Sequence, residues 1–152
     1  MADYDRNTRA CSLAQVPPET VADMRRVAEL FAAGDFEADV RACCETRSKQ
    51  KKKGFFGSFG SGDPDPEHTT YAVLTGRWLI WSRRGPKTGL ATSLAALKDI
   101  TLEDFAAARL GDHGLEVFGF VNGSSEKVHA FIGLGREADG LAFKQSVQSA
   151  LA

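Results

Sequence analysis

Thr69-Thr-Tyr-Ala-Val-Leu-Thr-Gly-Arg-Trp-Leu-Ile-Trp-Ser-Arg-Arg84 contains two short apolar runs, Tyr71 to Leu74 and Trp78 to Trp81, on either side of Thr75-Gly76-Arg77. Both runs are rich in aromatic and β-branched residues, and Gly76 can take a positive φ at little steric cost, so the stretch predicts an antiparallel hairpin. Neither run alternates apolar with polar residues at its centre. Each strand is therefore expected to have both faces covered, which puts the hairpin inside a sheet and not at its edge.

Upstream of the hairpin, the residues from Met1 to Val16 show no periodicity and predict a loosely ordered terminus. Pro17-Pro18-Glu19-Thr20 opens a helix, and Gly34 stands where a left-handed C-terminal cap belongs, so residues 17–34 predict an N-terminal helical extension. Its apolar positions Val21, Met24, Val27, Ala28 and Phe31 form one stripe that has to be buried. After Gly34 the period becomes two: Phe36, Ala38, Val40, Ala42 and Cys44 alternate with Glu37, Asp39, Arg41, Cys43 and Glu45, which predicts a half-buried strand. From Arg47 to Glu67 the composition turns to Lys, Gly, Ser, Phe, Asp and Pro, a long exposed loop.

Downstream, Gly85-Pro86-Lys87 makes a turn, and short strands are expected at Leu90 to Leu94, Ile100 to Phe105, Leu115 to Val121 and Val128 to Leu134. Arg136 to Leu151 closes the chain as an amphipathic helix with apolar residues at Leu141, Phe143, Val147, Ala150 and Leu151. The expectation is a mainly β domain of seven antiparallel strands, bent into an open barrel whose mouth is plugged by the terminal helix.

That order of elements resembles the pleckstrin-homology-like (PH-like) family, in particular its bacterial PH/GRAM-like branch. The resemblance is carried by Tyr71-Ala-Val-Leu-Thr-Gly-Arg-Trp-Leu-Ile80, Leu97-Lys-Asp-Ile-Thr-Leu102, Gly114-Leu-Glu-Val117, Phe131-Ile-Gly-Leu134 and the closing helix. It places a PH-like domain over residues 35–152 and implies a fold much more than a function.

The totals narrow the function further. At 152 residues the chain fits one domain, and a net charge of -1 with 26% charged residues argues against nucleic-acid binding driven by overall charge. The N-terminal residues have no apolar targeting segment, no apolar run reaches membrane-span length, and three cysteines do not suggest a disulfide framework, so a soluble cytoplasmic protein is expected. Cys43 and Cys44 point to opposite faces of a strand and cannot share a metal; His68, His113 and His129 are scattered, with no second ligand at metal spacing. Gly57-Ser-Phe-Gly60 and Gly85-Pro-Lys-Thr-Gly89 only glance toward phosphate loops. No nucleophile with a base and an orienting group is apparent, so a non-catalytic module without a cofactor is expected.

Two surfaces stand out. If Val117, Val121, Val128, Ala130 and Ile132 face the interior, then Phe118, Phe120, His129 and Phe131 lie on the outer face of the last two strands. Such a patch needs cover, either from the N-terminal helix with Val27 and Phe31, or from a protein partner or a second copy of the chain, and the two uses can divide it. The expected function is protein interaction or self-association there. The alternative is an anionic membrane surface, met by Lys49, Lys51, Lys52 and Lys53 with Phe55, Phe56 and Phe59. The resemblance implies phosphoinositide contacts in this loop, with Lys53 and Arg77 loosely standing for the family's basic pair. A third reading puts a small apolar ligand near Trp78 and Trp81.

Overall fold

The computed structural model describes residues 4–51, 65–103 and 112–152. The hairpin is where the sequence puts it: β3 (Glu67–Thr75) and β4 (Trp78–Gly85) pair antiparallel with Leu74 opposite Leu79 and Thr69 opposite Arg84. Gly76 serves a different purpose from the one expected, because its φ is not positive. Its N–H donates to Asp39 Oδ2 at 2.9 Å, and a Cβ would stand 2.6 Å from both Asp39 Oδ2 and Arg41 Nη2. The ends of two exposed side chains, and not left-handed backbone, crowd this position.

These strands lie inside a five-stranded antiparallel sheet of order β1-β2-β3-β4-β5, with β1 at Tyr4–Ala10, β2 at Val40–Gln50 and β5 at Gly89–Ala96. Both faces of the hairpin are buried: Val73 and Ile80 are fully enclosed on one side and Leu79 on the other. The second sheet, β6 (Ile100–Glu103), β7 (Gly114–Gly119) and β8 (Val128–Gly133), has three antiparallel strands in that order. The molecule has two sheets and not one closed barrel, and eight described strands where seven were expected.

The additional strand is β1, in the terminus expected to be loose. It pairs along β2 from Tyr4 opposite Gln50 to Ala10 opposite Cys44. Its inward positions are Arg6 and Thr8, so it carries no apolar alternation to announce it. Three changes also affect β2. Phe36–Asp39 forms a single 3-10 turn, with Phe36 tucked into the core, so the strand begins only at Val40. The far end runs on to Gln50, four residues into the predicted loop from Arg47. A register shift between Val40 and Ala42 disturbs the alternation there.

Helix α1 (Pro18–Leu30) begins at its prolines as expected. Its C-terminal cap uses Ala32 (φ 55) in the left-handed position, with Ala33 N–H to Ala28 O at 2.8 Å and Ala32 N–H to Glu29 O at 3.2 Å. Gly34 is also left-handed (φ 70) but lies two residues farther on. Val21, Met24, Val27 and Ala28 pack on Tyr71, Val73, Ile80 and Leu94, so α1 covers the outer face of the five-stranded sheet.

Helix α2 (Ala138–Leu151) closes the gap between the sheets. Phe143 and Val147 join Leu79, Trp81, Leu115, Val117 and Ile132 in the main core. The buried stripe is Gly140, Phe143 and Val147, with Leu151 partly buried. Leu141, expected in that stripe, is 51% exposed because it faces away from both sheets. The segment before α2 and the first turn of α2 also finish the β1 edge: Glu137 Oε2 accepts the Thr8 N–H at 2.6 Å, Asp139 Oδ2 accepts the Ala10 N–H at 2.9 Å, and Gly135 N–H donates to Thr8 Oγ1 at 2.7 Å. Backbone donors that would otherwise template another strand are thereby occupied.

Candidate interaction surfaces and a thiol pair

The pairing of β6, β7 and β8 sets their outer face as two cross-strand rows, Thr101–Phe118–His129 and Glu103–Glu116–Phe131. Phe118 and His129 rings lie 4.5 Å apart with planes tilted by 37°, Lys127 Nζ sits 5.8 Å from the Phe118 ring, and His129 Nδ1 lies 4.0 Å from Glu103 Oε2. Phe131 is 38% exposed, Phe118 and Phe120 are half-buried, and Val128, expected inside, is 37% exposed at the strand end. Val117, Val121 and Ile132 do face the core, and Ala130 packs against it. Of the expected outward set, Phe118, His129 and Phe131 are thus assembled on one face, whereas Phe120 lies past the end of β7, beyond Gly119 (φ 148), with its N–H on Asp99 O at 3.2 Å.

The expected helical cover is not there. Val27 is 4% exposed beneath α1 on the five-stranded sheet, so it belongs to the core and to no surface. An apolar stripe states that a helix must be buried but not on which sheet, and here it packs on Tyr71, Val73, Ile80 and Leu94. Phe31 is half-buried and touches only the margin of the second sheet, close to Gly123 in the β7–β8 turn, where a Cβ would lie 2.9 Å from its ring.

Arg6 packs beside Phe131. The guanidinium lies 5.6 Å from the Phe131 ring and 4.5 Å from the Tyr4 ring, donates to Asp112 Oδ1 at 3.1 Å and Oδ2 at 2.9 Å, and donates to Ser48 Oγ at 2.7 Å. It passes over Gly133 where any side chain would collide. Burial pushes the Asp112 carboxyl up, but the Arg6 hydrogen bonds and charge outweigh that and hold it below its ordinary value. Arg6 therefore ties β1, β2, β8 and the segment before β7 together. Sequence reading missed it because one arginine in a polar terminus carries no pattern.

On the other side of the molecule, beyond the end of α1, the five-stranded sheet carries a polar cleft of about 820 Å³ lined by Asn7, Arg47, Lys49, Thr69 and Arg84 among others. Its cations have carboxylate partners: Arg47 with Glu45 at 3.2 Å, Lys49 with Glu67 at 3.6 Å, and Arg84 with Glu19. Glu45 also accepts from Arg9 at 3.2 Å and from the Tyr71 hydroxyl at 3.0 Å. Burial and that hydrogen bond push the Tyr71 hydroxyl up to about 12. Lys51 pairs with Asp5 at 3.7 Å. Of the basic-aromatic loop, Lys52, Lys53, Phe55, Phe56 and Phe59 lie outside the described residues. Arg77 sits by the β3–β4 turn, eight or more strand residues and roughly 25–30 Å from Lys49, so those two cannot share one headgroup.

Trp78 and Arg77 line a second cleft of about 570 Å³ with Asp35, Asp39 and Lys98. Trp81 is 8% exposed in the main core, so the two tryptophans do not form one site. His68 and His113 each place Nδ1 on a backbone carbonyl, of Asp65 at 3.2 Å and Leu134 at 3.1 Å.

Cys43 and Cys44 do point to opposite faces, and Cys43 lies against Cys11. Cys11 continues the β1–β2 ladder with its N–H on Cys43 O at 3.0 Å, and the two sulfurs are 3.2 Å apart. Cys44, on the opposite face, is buried and its thiol is pushed up to about 12 by that burial. Only the register of β1, itself unread in the sequence, brings Cys11 and Cys43 together. Comparison with family models, curated proteins and solved structures finds no match to this chain.

Proposed function

We propose that this chain is a PH-like, non-catalytic assembly module that contacts a second copy of itself through the outer face of β6, β7 and β8. The observation carrying this reading is that Phe131, Phe118 and His129 share that face while α1, the helix expected to cover it, is spent on the other sheet. Four antiparallel strands (β2 to β5), then three (β6 to β8), then a helix closing the gap supports the PH-like assignment, with β1 and α1 as additions.

Charge favours a copy of the same surface. Glu103 and Glu116 occupy one end of the face and Lys127 lies beyond the other, so a two-fold axis across the strands sets acidic end against basic end. Three strands of six residues or fewer cover about 300 Å² per copy, well short of the roughly 800 Å² per partner of a stable complex. The association is accordingly weak and concentration-dependent.

Sedimentation equilibrium over a wide concentration range tests this. A monomer–dimer equilibrium weakened by Phe131→Asp, with the melting temperature of the variant near that of the parent, is the expected result. A strict monomer at several hundred micromolar, or a dimer indifferent to Phe131→Asp and Phe118→Asp, overturns the reading.

A further inference from the structure

We propose that Cys11 and Cys43 form a thiol–disulfide site that takes a low-molecular-weight disulfide as its oxidant and, once oxidised, staples the segment leading into α1 to β2 of the five-stranded sheet. The proposal is independent of self-association. It rests on four observations that concern this pair alone.

First, the backbones are already at bridging distance. Cys11 follows directly on Ala10, the last paired residue of β1 and opposite Cys44, and its own N–H donates to Cys43 O at 3.0 Å, which sets it across from Cys43. Facing residues joined in this way have Cα atoms about 5.5 Å apart, inside the roughly 4.4–6.8 Å span of disulfides. Second, the sulfurs point at one another at 3.2 Å, so a bond of about 2.05 Å needs side-chain rotation and no strand movement. Third, Cys11 is half-buried while Cys43 is 7% exposed, so a small reagent meets Cys11 first and Cys43 lies behind it.

The fourth observation concerns the proton. The contact between the two sulfurs holds Cys11 below its ordinary value; the same contact, together with burial, pushes Cys43 up. The pair is thus divided into an attacking sulfur and a resolving one. The Cys11 thiolate attacks one sulfur of the small disulfide, forming a mixed disulfide and expelling the first small thiolate, which takes up a proton. Cys43 then gives up its proton and attacks Cys11 Sγ, expelling the second small thiolate, which takes that proton. The protein loses two protons and two electrons, and the small disulfide is reduced to two thiols.

The consequence is mechanical. The bridged residues are 32 apart in sequence, and the closed loop contains the 3-10 turn Leu13–Gln15 and all of α1. Oxidation pins the segment that leads into α1, and with it the cover of the five-stranded sheet. Cys44 takes no part, because it faces the main core between the sheets.

The test treats the full chain with oxidised glutathione, alkylates residual thiols after unfolding, and maps peptides by mass spectrometry without reduction. The expected product has lost two hydrogens, links Cys11 to Cys43 and carries the alkyl group on Cys44. Its melting temperature rises by about 5–10 °C over the reduced form. Cys43→Ala is expected to stop at a glutathione adduct on Cys11, Cys11→Ser to remain unmodified at position 43, and Cys44→Ala to oxidise like the parent. A stable adduct on Cys11 in the parent, a link involving Cys44, or thiols left unchanged overturns the proposal. Circular dichroism of each variant establishes that it is folded before its thiols are read.

Discussion

The outer faces of the two sheets pose the same physical problem and meet it differently. On the five-stranded sheet, α1 lays Val21, Met24, Val27 and Ala28 over Val73, Ile80 and Leu94, and past the end of the helix the face turns polar, with Arg9, Glu45, Arg47 and Tyr71 bonded to one another. On the three-stranded sheet no described helix is laid down, and Phe131 stands 38% exposed beside Glu116, with Phe118 against His129. An apolar face that the fold covers itself is part of stability. One that is left with aromatic rings and mixed charge at its ends is available for a partner.

That contrast can be broken by comparing truncations. Met24→Ala removes a fully buried side chain between α1 and the sheet and is expected to cost about 2–5 kcal/mol, read as a fall in the urea midpoint. Phe131→Ala is expected to cost under about 1 kcal/mol in the same titration, because more than a third of the ring is already in water. Equal losses would mean that the second face is as structural as the first.

The next effect lies where the two sheets meet. Arg6→Met keeps the packing over Gly133 but leaves Asp112 without its guanidinium. The expected cost is about 2 kcal/mol, below the full range for buried pairs because Asp112 keeps 17% exposure. The Asp112 carboxyl is held below its ordinary value in the folded chain, so this pair stabilises the fold above the unfolded pKa, about 3.9, and that stability is lost as pH falls through the lower folded value. The gap between parent and Arg6→Met is therefore expected to close in acid. A gap constant from pH 7 to pH 2 would deny the pair its electrostatic role.

A smaller effect sharpens the account of the edges. Glu137→Gln keeps a side-chain oxygen for the Thr8 N–H but loses the charge, with an expected loss of about 0.5–1 kcal/mol and faster amide exchange at Thr8.

How far this was legible follows from which forces leave a trace in sequence. α1 and the closing helix were read because Met24, Phe143 and Val147 are apolar residues at helical spacing, and the β3–β4 hairpin because Val73 and Ile80 sit in two short apolar runs on either side of a turn. Strand β1 was not, because Arg6 and Thr8 point inward and are satisfied by Asp112, Ser48, Thr46 and Gly135, partners whose positions only the assembled fold supplies. Missing β1 also hid the facing of Cys11 and Cys43. The outward set on β7 and β8 was legible from alternation, whereas the destination of α1 was not, since its stripe fits either sheet.

Amide hydrogen exchange measured at low and at high protein concentration tests the central claim most directly. The account predicts added protection at high concentration confined to the three-stranded sheet, in 114–119 and 128–133, with α1 and β5 unchanged. Protection gained over α1 or β5 instead, or none anywhere while the protein is demonstrably dimeric, would contradict it.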